Sequence, residues 1–125
     1  MSDLDVSINN GIATLTFNRP KARNALSMEM RQALIDTLHE IELNDDVRCV
    51  VLKGEGDHFM AGGDIKSFAE MNDLSDKEKS KAFMLRIHGL HPIMFAMRRM
   101  PKPIIASVRG AAAGAGVSIA VCCDL

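Results

Sequence analysis

Residues 49–68 read CVVLKGEGDHFMAGGDIKSF, and residues 103–119 repeat the plan as PIIASVRGAAAGAGVSI. Each passes from a β-branched apolar run, through Gly and Ala, into what reads as the start of a helix. Such small residues have two readings. They permit a helix to pack closely on the strand before it. They also let backbone amides approach an oxygen anion, because the first N–H groups of a helix are unpaired and lie at its positive end. An oxyanion hole needs two such donors about 3 Å from the developing charge. Two turns on adjacent strands could supply both. GAAAGAG (110–116) is neither a GxGxxG turn nor a phosphate loop, which needs Lys-Ser/Thr after its glycine.

Outward from these turns the chain alternates strands and helices. DVSINNGIATLTF (5–17) has Asn-Gly between two β-rich runs, predicting a hairpin with strands near 4–8 and 12–17. The polar loop NRPKARNALS (18–27) follows. Ser27 is a helix N-cap and Glu29 adds favourable charge to the first turn. Met30, Ala33, Leu34, Leu38 and Ile41 recur at helical spacing to about Leu43. VRCVVLKG (47–54) reads as a buried strand. Ile65, Phe68, Ala69 and Met71 mark a short helix, and NDLSDKEKS (72–80) a solvated surface segment. A second long helix is expected from about Lys81 to Met100, with Gly89 and Pro92 as points of interruption. PKPIIASV (101–108) is another strand, and the second small-residue turn opens a final helix. The class is α/β.

Bulk properties narrow the function. The chain has 125 residues, 47% hydrophobic and 25% charged, as in a folded domain rather than a disordered one. A net charge of −1, with no Trp or Tyr for base stacking, gives no reason to expect nucleic acid or an anionic membrane. The acidic start MSDLDVSINN lacks an apolar signal core, and the uncharged run 110–123 is too short to span a bilayer. Cys49, Cys122 and Cys123 have no CxxC spacing, so reduced thiols in a cytoplasmic protein are expected.

TLTFNRPKARNALS (14–27), VVLKGEGDHFMAGGDIKSF (50–68) and KPIIASVRGAAAGAGVSIAVCCDL (102–125) together resemble the crotonase family of enoyl-CoA hydratases and isomerases. The resemblance runs in order from about Val6 to Leu125. It implies a crotonase-like superhelix, a spiral of ββα turns, with a coenzyme A thioester as substrate and two amides stabilising an enolate. It places the donors at Ala61 and Ala115, and coenzyme A along Lys21, Ala22 and Arg23 and against Gly62, Gly63 and Asp64. No cofactor beyond the coenzyme A of the substrate, and no metal, is expected. Residues 1–125 would be the N-terminal part of a single spiral domain, without the C-terminal half and the trimerisation helices; the full protein would be a homotrimer or hexamer.

One departure bears on chemistry. The first of the two catalytic Glu residues of hydratases falls on Ser118, and a neutral hydroxyl is a poor base without a partner. The second acid would lie beyond Leu125. Isomerisation is therefore favoured over hydration. The alternatives are a non-catalytic member that binds acyl-CoA or a partner, and a fragment inactive by itself. Other residues have plainer readings. Asp64 is a helix cap before it is an acid or base. His88 and His91 share a helix face without a carboxylate. His58 sits beside the first turn, as a thioester neighbour or as a turn histidine. Ser118 lacks His/Asp support as a nucleophile, and Cys122 and Cys123 read as core thiols.

Overall fold

A computed structural model describes residues 2–125. Strands β1 (Leu4–Asn9) and β2 (Ile12–Phe17) form an antiparallel hairpin with Asn9 opposite Ile12. Asn10 and Gly11 both take positive φ, 52° and 83°, the conformation that a two-residue hairpin turn requires. A short 3-10 turn, Pro20–Ala22, then leads to helix α1 (Met28–Glu42). The Ser27 hydroxyl accepts the Met30 N–H at 3.0 Å, satisfying one of the first-turn donors. Met30, Leu34, Leu38 and Ile41 are buried on one face.

That buried stripe carries the chain across the sheet, so β3 (Cys49–Gly54) pairs parallel with β2. β3 is covered on one face only: Val50, Leu52 and Gly54 are buried, whereas Cys49, Val51 and Lys53 are half-buried. Helices α2 (Ile65–Ala69), α3 (Asp76–His88) and α4 (His91–Arg99) precede β4 (Ile104–Ser107), which pairs parallel with β3. Helix α5 (Ala115–Cys122) follows. The sheet order is β1-β2-β3-β4. Past α5 the chain returns to β4, where the Ala106 N–H donates to the Leu125 carbonyl at 2.8 Å.

One expectation changes and one holds. The segment expected to be a solvated stretch before residue 81 is already helical from Asp76. Ser75 and Glu78 form a reciprocal capping box, which supplies the partners that a helix needs to start there. The second long helix is interrupted at Gly89 and Pro92, as expected, and so is two helices. α3 ends at His88, and Pro92 sits in the first turn of α4, where its missing N–H costs nothing. Ile93, Ala96 and Met97 of α4 are buried, and α4 packs on α1 and α5. Among the described residues, no helix is long and apolar enough to cross a membrane.

Candidate active site

The two small-residue turns meet. Met60 and Ala112 form a parallel bridge, with the Ala113 N–H donating to the Met60 carbonyl at 3.0 Å and the Phe59 N–H to the Ala111 carbonyl at 3.1 Å. The close approach demands glycine at two points. A Cβ on Gly116 would lie 2.2 Å from the Met60 carbonyl oxygen, and one on Gly110 would lie 2.1 Å from that of Asp57. His58 joins the same seam through Nδ1, which accepts the Ala111 N–H at 2.9 Å. It is a structural turn histidine with its ring engaged between the two turns.

The loop of residues 18–27 lies along the other side of the first turn. The Ala61 N–H donates to the Arg23 carbonyl at 3.0 Å, and the Leu26 N–H to the Gly62 carbonyl at 2.8 Å. This corrects the expected first donor. The amide hydrogen of Ala61 is spent inside the protein and is not offered to a ligand. Gly63, two residues on, has an N–H without an acceptor among the described residues, and so does Ala115. Both residues line one cavity of about 270 Å³. No local signal separates Ala61 from Gly63, because the loop alongside decides which amide is used.

Asn24 holds this arrangement and was not singled out by sequence. It is fully buried, with φ +57°. Its side-chain nitrogen donates to the carbonyls of His58 (2.7 Å) and Glu55 (3.0 Å), while its oxygen accepts the Arg19 N–H at 2.8 Å. One side chain therefore ties the loop to the exit of β3. Such groups are costly to leave unpaired.

A second cavity of about 460 Å³ adjoins the first and shares Gly63 and Asp64 with it. Of the residues expected against coenzyme A, Lys21, Ala22, Arg23, Gly63 and Asp64 line this second cavity; Gly62 is buried behind it. Arg19 and Lys66 add further positive charge to the wall. Asp64 caps α2, its carboxylate accepting the Lys66 N–H at 3.3 Å, and it pairs with Arg19 at 3.6 Å.

Ser118 is exposed on α5, its hydroxyl turned back to the Gly114 carbonyl at 3.5 Å. No His or carboxylate supports it as a nucleophile or base among its hydrogen bonds. The His88 and His91 rings lie 5.5 Å apart. Burial, then the neighbouring Cys122 and Asp124, pushes the Cys123 thiol up to about 11, so it is a protonated, inert core group at neutral pH.

The sequence pattern of the enoyl-CoA hydratase/isomerase family matches residues 7–125. The chain belongs to that family. It is 33% identical over 119 residues to the trans-2-decenoyl-[acyl-carrier-protein] isomerase of Streptococcus mutans, covering 94% of this chain and 44% of that protein. It is 36% identical over 115 residues to the short-chain-enoyl-CoA hydratase of Clostridium acetobutylicum, covering 91% of this chain and 41% of that one. An enoyl-CoA hydratase structure from Mycobacterium smegmatis superposes with a TM-score of 0.87 at 36% identity, over all of this chain and 47% of that one. The chain thus spans less than half the length of these relatives, and the fold is that of the crotonase-type enzymes. An isomerase and a hydratase resemble this member of the enoyl-CoA hydratase/isomerase family about equally, so overall similarity does not select the reaction.

Proposed function

We propose that this chain is the thioester-polarising part of an enzyme that acts on acyl-CoA. The observation that carries the reading is the pair of unaccepted amides, Gly63 and Ala115, on one cavity wall. A thioester oxygen received there would be polarised, and the enolate formed by loss of an α-proton would be stabilised by donors that need no reorganisation. The bond from Ala61 to Arg23 serves this by fixing the approach to Gly63. The basic second cavity, with Lys21, Arg23 and Lys66, suits the phosphates of coenzyme A, while the apolar stretch of the first cavity at Leu26, Phe68 and Leu90 suits the acyl chain. No cofactor is needed beyond the coenzyme A that the substrate carries. The compartment proposed is the cytoplasm, and the assembly a homotrimer or hexamer.

Double-bond isomerisation fits better than hydration. Hydration by two carboxylates needs an acid or base where Ser118 stands, and its hydroxyl bonds the Gly114 carbonyl instead. Isomerisation needs one group to move the proton, which the relatives' greater length leaves room for. The same feature favours, as a second reading, an acyl-CoA-binding member without turnover. The intact protein should be assayed for hydration of crotonyl-CoA and for conversion of a 3-enoyl-CoA to the 2-enoyl-CoA. Faster isomerisation is expected. Dominant hydration would overturn that preference, and tight binding of both thioesters without turnover would favour the binding protein.

A further inference from the structure

The first cavity holds two arginines that the thioester chemistry does not use. Arg31 comes from α1 and Arg86 from α3, and both line the wall that carries Gly63 and Ala115. One terminal nitrogen of Arg31 donates to the Arg86 carbonyl at 2.8 Å. Arg86 donates to the Ser67 hydroxyl at 2.8 Å and lays its guanidinium over the Phe68 ring, 5.0 Å from the centroid. Phe68 in turn covers Gly63, where a Cβ would meet the ring at 2.6 Å.

These contacts position both side chains without satisfying them. Nε of Arg31 and a terminal nitrogen of Arg86 are buried and have no acceptor among the described residues. Nor does either guanidinium have a carboxylate partner there, since the ion pairs are Arg19–Asp3, Arg19–Asp64 and Arg99–Glu42. Asp64, the carboxylate on the cavity wall, is occupied by Arg19 and by the cap of α2. Burial first, and then the charge of Arg86, holds Arg31 below its ordinary pKa. Two like charges with buried, unpaired donors are an unfavourable arrangement by themselves. An anion in the cavity would offset the two unpaired charges through the guanidinium N–H groups that line it, and a planar carboxylate matches the guanidinium fork.

We propose that Arg31 and Arg86 receive a second carboxylate at the far end of a short acyl chain, so that the substrate is the monothioester of a dicarboxylic acid. This rests on the thioester reading of Gly63 and Ala115. Apolar side chains from Leu26, Phe68 and Leu90 lie on the same wall and suit the methylenes between the two ends. The volume, about 270 Å³, is near the lower end for small-molecule sites and limits the chain to a short one.

Titration calorimetry on the intact protein tests this with glutaryl-CoA and pentanoyl-CoA, which have equal chain length and differ in the terminal carboxylate. Glutaryl-CoA is expected to bind about tenfold more tightly, the scale of a charge-assisted hydrogen bond. The ratio of the two affinities should fall toward one in Arg31→Gln and in Arg86→Gln, and Arg31→Lys should not restore it, because an ammonium lacks the planar fork. Equal binding by the unaltered protein would overturn the proposal and leave the thioester reading standing. An unchanged ratio in both Gln variants would overturn it too, by placing the preference elsewhere. If neither thioester binds, the thioester reading falls and takes this proposal with it. The unaltered protein's ratio decides even where one variant does not fold.

Discussion

Ala115 stands at the first position of α5, after Gly114 at φ +54° and ψ −121°. Proline is well accepted at that position, because the N–H it lacks is unpaired in the helix anyway. Ala115→Pro should therefore remove one donor from the cavity and leave the helix in place. If that amide polarises the thioester, kcat should drop by about a hundredfold or more, with melting temperature nearly unchanged. Unaltered kcat in a folded Ala115→Pro protein would exclude the amide from catalysis. Single residues also show why small side chains gather here. Gly116 is required by packing and Ala115 offers an amide, so both readings of the GAAAGAG stretch hold, at different residues.

Helices differ in how firmly they are held. α1 buries Met30, Leu34, Leu38 and Ile41, and its last turn is capped by Lys102, whose Nζ donates to the Asn44 carbonyl at 2.6 Å and also to that of Ile41. α3 buries no residue, and Phe83, Met84, Leu85 and Ile87 are exposed on it. Its attachments include the Arg31 bond to its last turn, the Arg86 bond to the Ser67 hydroxyl, the stacking of Arg86 on Phe68 and the Phe68–Phe83 contact at 5.3 Å. Few buried apolar contacts mean a low free energy of local opening. Amide exchange followed by mass spectrometry should show α3 exchanging well before α1. Ser75→Ala should widen the gap, by about 1 kcal/mol of lost capping. Equal protection of α3 and α1 would contradict this account.

At the scale of the whole molecule, the sheet has one well-covered face and an edge at β4. Asp124 and Leu125 bond to β4, the Asp124 N–H donating to the Ile104 carbonyl at 2.8 Å. Large apolar side chains of Ile65, Leu85, Phe95 and Val121 stand in solvent, with Ile65 78% exposed. Patches and strand edges of this kind drive association. Residues 1–125 produced alone are expected to self-associate and to turn over no enoyl-CoA, as read by analytical ultracentrifugation and a coupled assay. A monomeric, active preparation would defeat that expectation.

The sequence alone determined the elements and where the turns fall. Asn10-Gly11 specified the hairpin through the positive φ it tolerates, Ser27 and its apolar stripe specified α1, and the paired Gly/Ala turns marked the site. These are local effects, carried by a few neighbouring residues. The break between α3 and α4 is legible in Gly89 and Pro92, whereas the start of α3 lies in a charged stretch, where the Ser75–Glu78 capping box rather than an apolar stripe sets it. Tertiary structure decided what depends on a distant partner. The Arg23 carbonyl takes the Ala61 amide and leaves Gly63 free, Asn24 is buried because backbone groups of its own loop and of the distant turn at Glu55–His58 need it, and Arg31 meets Arg86 across 55 residues of chain. A hydrogen bond has two ends, and the sequence pattern around one end does not say where the other will be.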